Sequence, residues 1–417
     1  MTWLTGNDRI IYFTVIFIVS SWIFLRDSRY SIIELSLITA AIGGLMLVRV
    51  CLLYHITWDY KDFLNPWVEE MRGLNFREAI SNYSGNYNLP YMYLLFFISR
   101  YAGYDLMIIK AVSSFFDVIL AYYFMKCVSL KYSGKNIQAA SFILVLALPT
   151  VFLNSADWGQ CDSIYASFCF AMLYYALGDQ SRRAVISWTF AFAFKLQAVF
   201  VLPVFIILTV LRKIKVKDWL FIPITYFIIM IPALLGGRGL YSCISVYFDQ
   251  VKDAPSLSVG AQNIWLLIDN VSFDIYNVIA IYLAGAAVVF FLYACITHLD
   301  RMNTENIIHA FLCITLLIPF LLPRMHDRYF YLADIASLLF FIYNRKKIYV
   351  PILQIYASFN TYRNYLTSVH FGNDKYISFI ILLLIAKVLN DFFLSIASSD
   401  YNSCPFFQND RGMEEQS

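Results

Sequence analysis

The chain has 417 residues, 60% of them hydrophobic and 18% aromatic, with 14% charged and a formal net charge of +3. That apolar share lies well above the roughly 45–50% of soluble domains, so a set of water-soluble cores is excluded and most of the chain belongs in lipid. There is no basic tract for a nucleic-acid partner, and no Walker loop, dinucleotide fingerprint or HExxH zinc helix, which argues against nucleotide hydrolysis.

Taken in chain order, apolar runs fit to cross a hydrocarbon core of roughly 30 Å fall at 10–25, 31–54, 105–125, 137–153, 160–177, 184–211, 219–236, 275–297, 307–322, 330–343, 348–366 and 376–396. The expected fold is all-α, a polytopic transmembrane helical bundle of about 10–12 membrane segments. Residues 1–397 form one membrane domain and 398–417 a short polar tail. The first run, Ile10 to Leu25, has no small-residue cleavage site after it and is read as retained. Two stretches are irregular: 89–101 is short and begins near Pro90, while 184–211 is too long for one straight span and is interrupted by Lys195, Gln197 and Pro203. A re-entrant or half-crossing segment is expected at each. The eight cysteines lack CxxC spacing and read as small core hydrophobes, with only Cys161 and Cys243 placed to face an oxidising compartment.

Cations gather in alternate loops: Lys126, Lys131 and Lys135; Arg182 and Arg183; Arg212, Lys213, Lys215 and Lys217; Arg345, Lys346 and Lys347. Such loops stay on the cytoplasmic side. Segments 55–104, 154–159, 237–274, 323–329 and 367–375 then share the other face, and they carry nearly all the polar clusters. The basic Arg26 to Arg29 loop also reads as cytoplasmic, which leaves the N-terminus outside unless one early segment does not cross.

In the first external segment, Asp59 and Asp62 stand three residues apart between Trp58 and Trp67, on one side of a helical turn at interfacial depth. A carboxylate there can take a proton from an attacking hydroxyl; the plainer alternative is a solvated interfacial loop. Next, Asn154 to Ser163 packs Asp157, Trp158, Gln160 and Asp162 into a very short connection, either to orient a substrate or simply to cap the following helix. Third, Arg324, His326 and Arg328 are wedged among apolar residues, where a lipid phosphate is the natural anion and snorkelling to headgroups the alternative. Lys195 and Gln197 are polar side chains inside an apolar stretch, suited to a phosphate or a leaving carrier. Tyr83, Tyr87, Asn88, Pro90 and Tyr91 form a sugar-friendly aromatic patch. Asp59, Asp157 and Asp162 could converge on a hard cation, but a single donor phosphate needs little neutralisation, and neither a metal nor another cofactor is expected.

The ordered motifs Asp-Tyr-x-x-Phe-Leu-x-Pro-Trp (59–67), Asn-Ser-Ala-x-Trp-Gly-Gln-x-Asp-Ser (154–163), Phe-Lys-Leu-Gln (194–197) and Leu-Pro-x-Met-His-Asp-Arg-Tyr (322–329) resemble bacterial membrane glycosyltransferases related to GPI mannosyltransferase II, within the GT-C superfamily. The resemblance implies an inverting enzyme that draws on a polyprenyl-phosphate sugar, with its essential acid in the first external loop at Asp59 and Asp62 as second choice. It also implies a His-acid-Arg motif at His326 to Arg328, where Asp327 stands in place of the usual Glu. Size and architecture are similar to phage O-antigen glucosyltransferases as well. The expected partners are a polyprenyl-phosphate hexose, an outward-facing or lipid-linked glycan such as lipopolysaccharide O-antigen, and membrane lipid, with the site on the periplasmic face of a bacterial inner membrane. Phosphate would meet Arg324, His326, Arg328 and Lys195, while Trp158, Gln160, Asp162, Gln197 and Tyr87 would contact substrate. The rival is a transporter or flippase of polyprenyl-linked sugars, which should place its ionisable groups near the midplane and often shows an internal repeat; no repeat is evident.

Overall fold

The computed structural model describes residues 6–250, 256–268, 272–369 and 372–397, with 248–250 and residues 6 and 7 as backbone only; the tail expected at 398–417 and Cys404 lie outside them. In chain order the helices are α1 (Gly6–Leu25), α2 (Ile32–Leu52), α3 (Asn65–Met71), α4 (Phe76–Asn82), α5 (Leu89–Ile98), α6 (Asp105–Ser129), α7 (Lys135–Ala147), α8 (Pro149–Phe152), α9 (Asp162–Leu177), α10 (Ser181–Phe194), α11 (Leu202–Val210), α12 (Phe221–Leu235), α13 (Leu240–Gln250), α14 (Phe273–Thr297), α15 (Thr304–Leu321), α16 (Tyr331–Tyr343), α17 (Tyr349–Thr367) and α18 (Asp374–Ala397). Among the described residues the only sheet is a parallel pairing of β1 (Ser258–Val259) with β2 (Met325–His326).

The protein is an all-α polytopic helical bundle and an integral membrane protein. Among the described residues seven helical segments are long and apolar enough to cross a membrane unaided: α1, α2, α6, Val216–Leu235, α14, α15 and α18. A further pair, α7 with Pro149–Trp158, reaches that length only if taken together across a bend of 52°; Pro149 has no N–H to continue the ladder, and Leu148 before it is extended. The remaining apolar runs also lie on helices. Of these, α9 and α16 are buried along nearly their whole length, so they need no lipid-facing apolar surface. The outer helices instead turn large apolar side chains outward, among them Ile10, Trp22, Leu37, Phe227, Tyr282 and Leu383, as a lipid solvent allows.

The long run 184–211 forms a hairpin whose two feet lie at the same end of the bundle. Helix α10 ends at Phe194, Lys195 is extended (φ −152°, ψ 134°), and a 3-10 turn Leu196–Val201 leads into α11. Trp188 pins the break by donating from Nε1 to the Ala198 carbonyl at 3.2 Å. Both feet meet at the basic end, where the Lys215 amide donates to Ser181 Oγ at 2.8 Å and Lys213 pairs with Asp179 at 2.9 Å. This explains why two consecutive loops, 182–183 and 212–217, are both basic. The ten-residue α5 spans about 15 Å, half a hydrocarbon core.

The connection 154–159 is folded and buried, not an open loop. Residues Leu153–Trp158 form a π-helical turn with every side chain buried, closed by Gly159 at φ +78°. Cys161 and Cys243 are buried as well, so neither lies open to a compartment. Tryptophan and two aspartates in so short a connection are there to be packed against, not to be solvated.

Candidate functional site

The site is built at the end of the bundle opposite the basic loops, from several separate pieces of chain. Helix α2 ends at Leu52, and its last carbonyls are held by a buried lysine: Lys110 Nζ donates to the Leu52 and His55 carbonyls at 3.1 and 2.7 Å. The chain then turns through Thr57, whose hydroxyl donates to the Trp158 carbonyl, and delivers Asp59 at the head of the π-helical turn Tyr60–Leu64. Asp59 Oδ2 accepts from Trp158 Nε1 at 2.8 Å and from Gln160 Nε2 at 2.6 Å. Tyr87 donates onward to Gln160 Oε1 at 3.3 Å and stacks on Tyr91. The Tyr365 hydroxyl accepts from the Asp59 amide at 3.1 Å, and its ring lies flat on Trp158 with centroids 4.1 Å apart.

The second carboxylate is Asp162, buried at the first turn of α9. It pairs with Lys195 from the hairpin apex, and its Oδ2 accepts from Asn154 Nδ2 at 2.9 Å. Between the two acids stands Arg328, whose guanidinium lies 3.7 Å from Asp59, 3.8 Å from Asp162 and 3.7 Å from Asp327 and faces the Trp158 ring at 5.4 Å. These separations are too long for direct hydrogen bonds, and Arg328 Nε is buried without a hydrogen-bond partner. Burial opposes the Arg328 charge, but Asp59, Asp162 and Asp327 outweigh it and hold the guanidinium firmly protonated.

The loop carrying Arg328 is clamped by residues 257–260. Arg324 N–H donates to the Leu257 carbonyl and Asp327 N–H to the Val259 carbonyl, beside the β1/β2 pairing. Gly260, at φ +88°, leaves only 3.1 Å between where a Cβ would sit and Asp327 Cβ. Burial, with help from Asp59 and Asp162, pushes the Asp327 carboxyl up to about 7 against the opposing pull of Arg328.

Of the residues singled out from the sequence, Asp59, Trp158, Gln160, Asp162, Lys195, Arg328 and Tyr87 are brought together. Gln197 is buried next to Tyr329. Three readings change. Arg324 sits in the left-handed region (φ +62°), donates to Asn277 at 3.3 Å and covers the Phe273 ring, so its described contacts lie at the start of α14 and not with Arg328. His326 is pushed down to about 3 by burial and by Arg328 and Lys195, so its ring is neutral in this setting. Asp62 is exposed and makes no hydrogen bond or ion pair with a described residue, whereas Asp59 is held.

Asp157 does not join Asp59 and Asp162, because His55 takes it at 2.5 Å. Among the described residues no group of three or more His, Cys, Asp or Glu side chains is arranged to hold a metal ion. Sequence reasoning missed Tyr365, and with it Tyr362, whose hydroxyl accepts from Asn154 Nδ2 at 3.3 Å and whose ring meets Trp158 edge-on. The signal was present in the polar and aromatic run Asn360 to Tyr365, which closes an otherwise apolar helix. Compared with protein-family models the chain matches none, and compared with curated proteins it finds no match.

Proposed function

We propose that the protein is an inverting hexosyltransferase that takes glucose or mannose from a polyprenyl-phosphate carrier and passes it to a glycan on the non-cytoplasmic face, such as a lipopolysaccharide O-antigen. The observation that carries this reading is the Arg328 guanidinium, buried and charged with an unfilled Nε–H, next to a carboxylate fixed by two donors. A single phosphate supplies the missing acceptors in the geometry arginine favours. The motif resemblance points the same way, and the basic loops at the far end support an outward orientation of this end under the positive-inside rule.

In the proposed reaction the acceptor hydroxyl gives its proton to Asp59 as its oxygen bonds to the anomeric carbon. The bond from that carbon to the carrier phosphate breaks on the opposite face, and its electron pair leaves with the phosphate, against Arg328 and Lys195. Asp162 serves both halves, since it anchors Lys195 and lies near the positive charge that develops on the sugar ring. Attack opposite the leaving group inverts the anomeric centre in one step.

The test uses membranes holding equal amounts of wild type or Asp59→Asn protein, labelled polyprenyl-phosphate glucose or mannose, and a lipid-linked glycan acceptor. Label should enter the glycan with the wild type and not with Asp59→Asn. If no sugar is transferred but the labelled lipid crosses the bilayer, the site moves its ligand instead of reacting it, and the enzyme reading fails.

A further inference from the structure

At the basic end of the bundle lies a second polar cavity, of about 310 Å³, lined by Asp179, Gln180, Ser181, Arg182, Arg183, Lys215, Lys217 and Asp218. Its two acids are already taken: Asp179 pairs with Lys213 at 2.9 Å and Asp218 with Arg182 at 3.5 Å. Arg183 rests on Gln180 and the Tyr175 ring with no carboxylate partner among the described residues. Lys215 and Lys217 make no side-chain hydrogen bond or ion pair with any described residue. Three cations therefore face one concave space without a counter-ion.

What borders the cavity identifies the counter-ion. Along the segment that follows, Val216, Leu220, Ile224, Phe227, Ile228, Ile231 and Leu235 are all exposed, a spacing of three and four residues that keeps them on one helical face. The face begins beside Lys215 and Lys217 and runs the length of a membrane crossing. Trp219 lies at the same level, with its ring against Phe205 and its Nε1 on Thr209, the depth at which interfacial tryptophans sit. A cationic cup opening onto a lipid-facing apolar stripe matches a molecule with an anionic head and hydrocarbon tails.

We propose that this cavity is a binding site for the phosphodiester headgroup of an anionic phospholipid, with its acyl chains along the α12 stripe. The headgroup bridges the two feet of the α10–α11 hairpin, Arg183 on one and Lys215 and Lys217 on the other, and so braces the element whose apex carries Lys195. The site is independent of what the opposite end of the bundle does.

The test titrates purified full-length protein in zwitterionic detergent with phosphatidylglycerol, phosphatidylcholine or inorganic phosphate, reading bound lipid by native mass spectrometry and Tm by intrinsic fluorescence. Phosphatidylglycerol should bind the wild type and raise its Tm, and Lys215→Gln/Lys217→Gln should weaken that binding about tenfold or more and remove the Tm gain. The control Arg345→Gln/Lys346→Gln takes the same charge from the same end and should leave both readouts as in the wild type. Equal losses in the two double variants would reduce the effect to general surface charge and overturn the proposal. A Tm gain as large with inorganic phosphate, or phosphatidylcholine binding as tight as phosphatidylglycerol, would overturn it too.

Discussion

Asp59 is oriented by Trp158 and Gln160 from a single stretch of chain, and hydrogen bonds to a charged acceptor contribute about 1.5–3 kcal/mol each. Replacing Gln160 with Leu should therefore lower transfer by about ten- to a hundredfold while protein yield and Tm hold, as a rate assay beside a melting curve will show. Asp327 governs the pH response. Its folded pKa of about 7 lies above the ordinary 3.8, so below about 7 it stays protonated, and Asp59 and Asp162 balance Arg328 and Lys195. As pH rises through that value a third negative charge appears beside the phosphate seat. Donor KM should rise from pH 6 to 8, and Asp327→Asn should flatten the rise. The same shift costs stability: the unfolded chain loses this proton near pH 4 and the folded chain near 7, so stability falls across that interval and is level above it. Asp327→Asn should remove that part of the slope in urea melts run at several pH values.

Among the elements, the 257–260 clamp turns on one glycine. Gly260→Ala would put a Cβ at φ +88° and 3.1 Å from Asp327 Cβ, at a cost of about 1–2 kcal/mol. It should lower Tm and transfer together, whereas Gly285→Ala, where nothing lies within 4 Å, should not lower Tm. The elements were largely legible from hydrophobic run length, because each run must bury or wet its backbone the same way wherever it sits. The break at Lys195 could be read too, since a lysine and a glutamine two residues apart cannot stay in lipid. What run length could not give is the hand of a tight turn. The sequence places Arg324 and Arg328 four residues apart, but a left-handed Arg324 sends one guanidinium to α14 and leaves the other at Asp162. Tyr365 escaped notice for a similar reason: its partner Trp158 is more than 200 positions away, and periodicity carries no information at that distance.

At the scale of the whole molecule, the bundle holds a fully buried ion pair that takes no part in the site. Arg49 of α2 meets Asp117 of α6 at 3.2 Å, and the Leu146 carbonyl and the Ser155 hydroxyl complete the network. Neither charge was singled out in the sequence, since the two lie in different apolar runs and only the three-dimensional packing joins them. Arg49→Leu leaves a buried carboxylate without its counter-ion and should cost about 3–5 kcal/mol, while Arg49→Leu/Asp117→Leu should recover most of it; chemical denaturation in detergent will separate the two. The pair also bears on how the chain enters the bilayer. Arg49 lies in the last turn of α2, where its long side chain can snorkel toward the interface until a partner arrives, and Asp117 follows it by 68 residues. The two charges can therefore be buried together only once α6 has been made and has met α2, so this ion pair makes the meeting of two helices that are not neighbours in the chain a condition of the finished bundle.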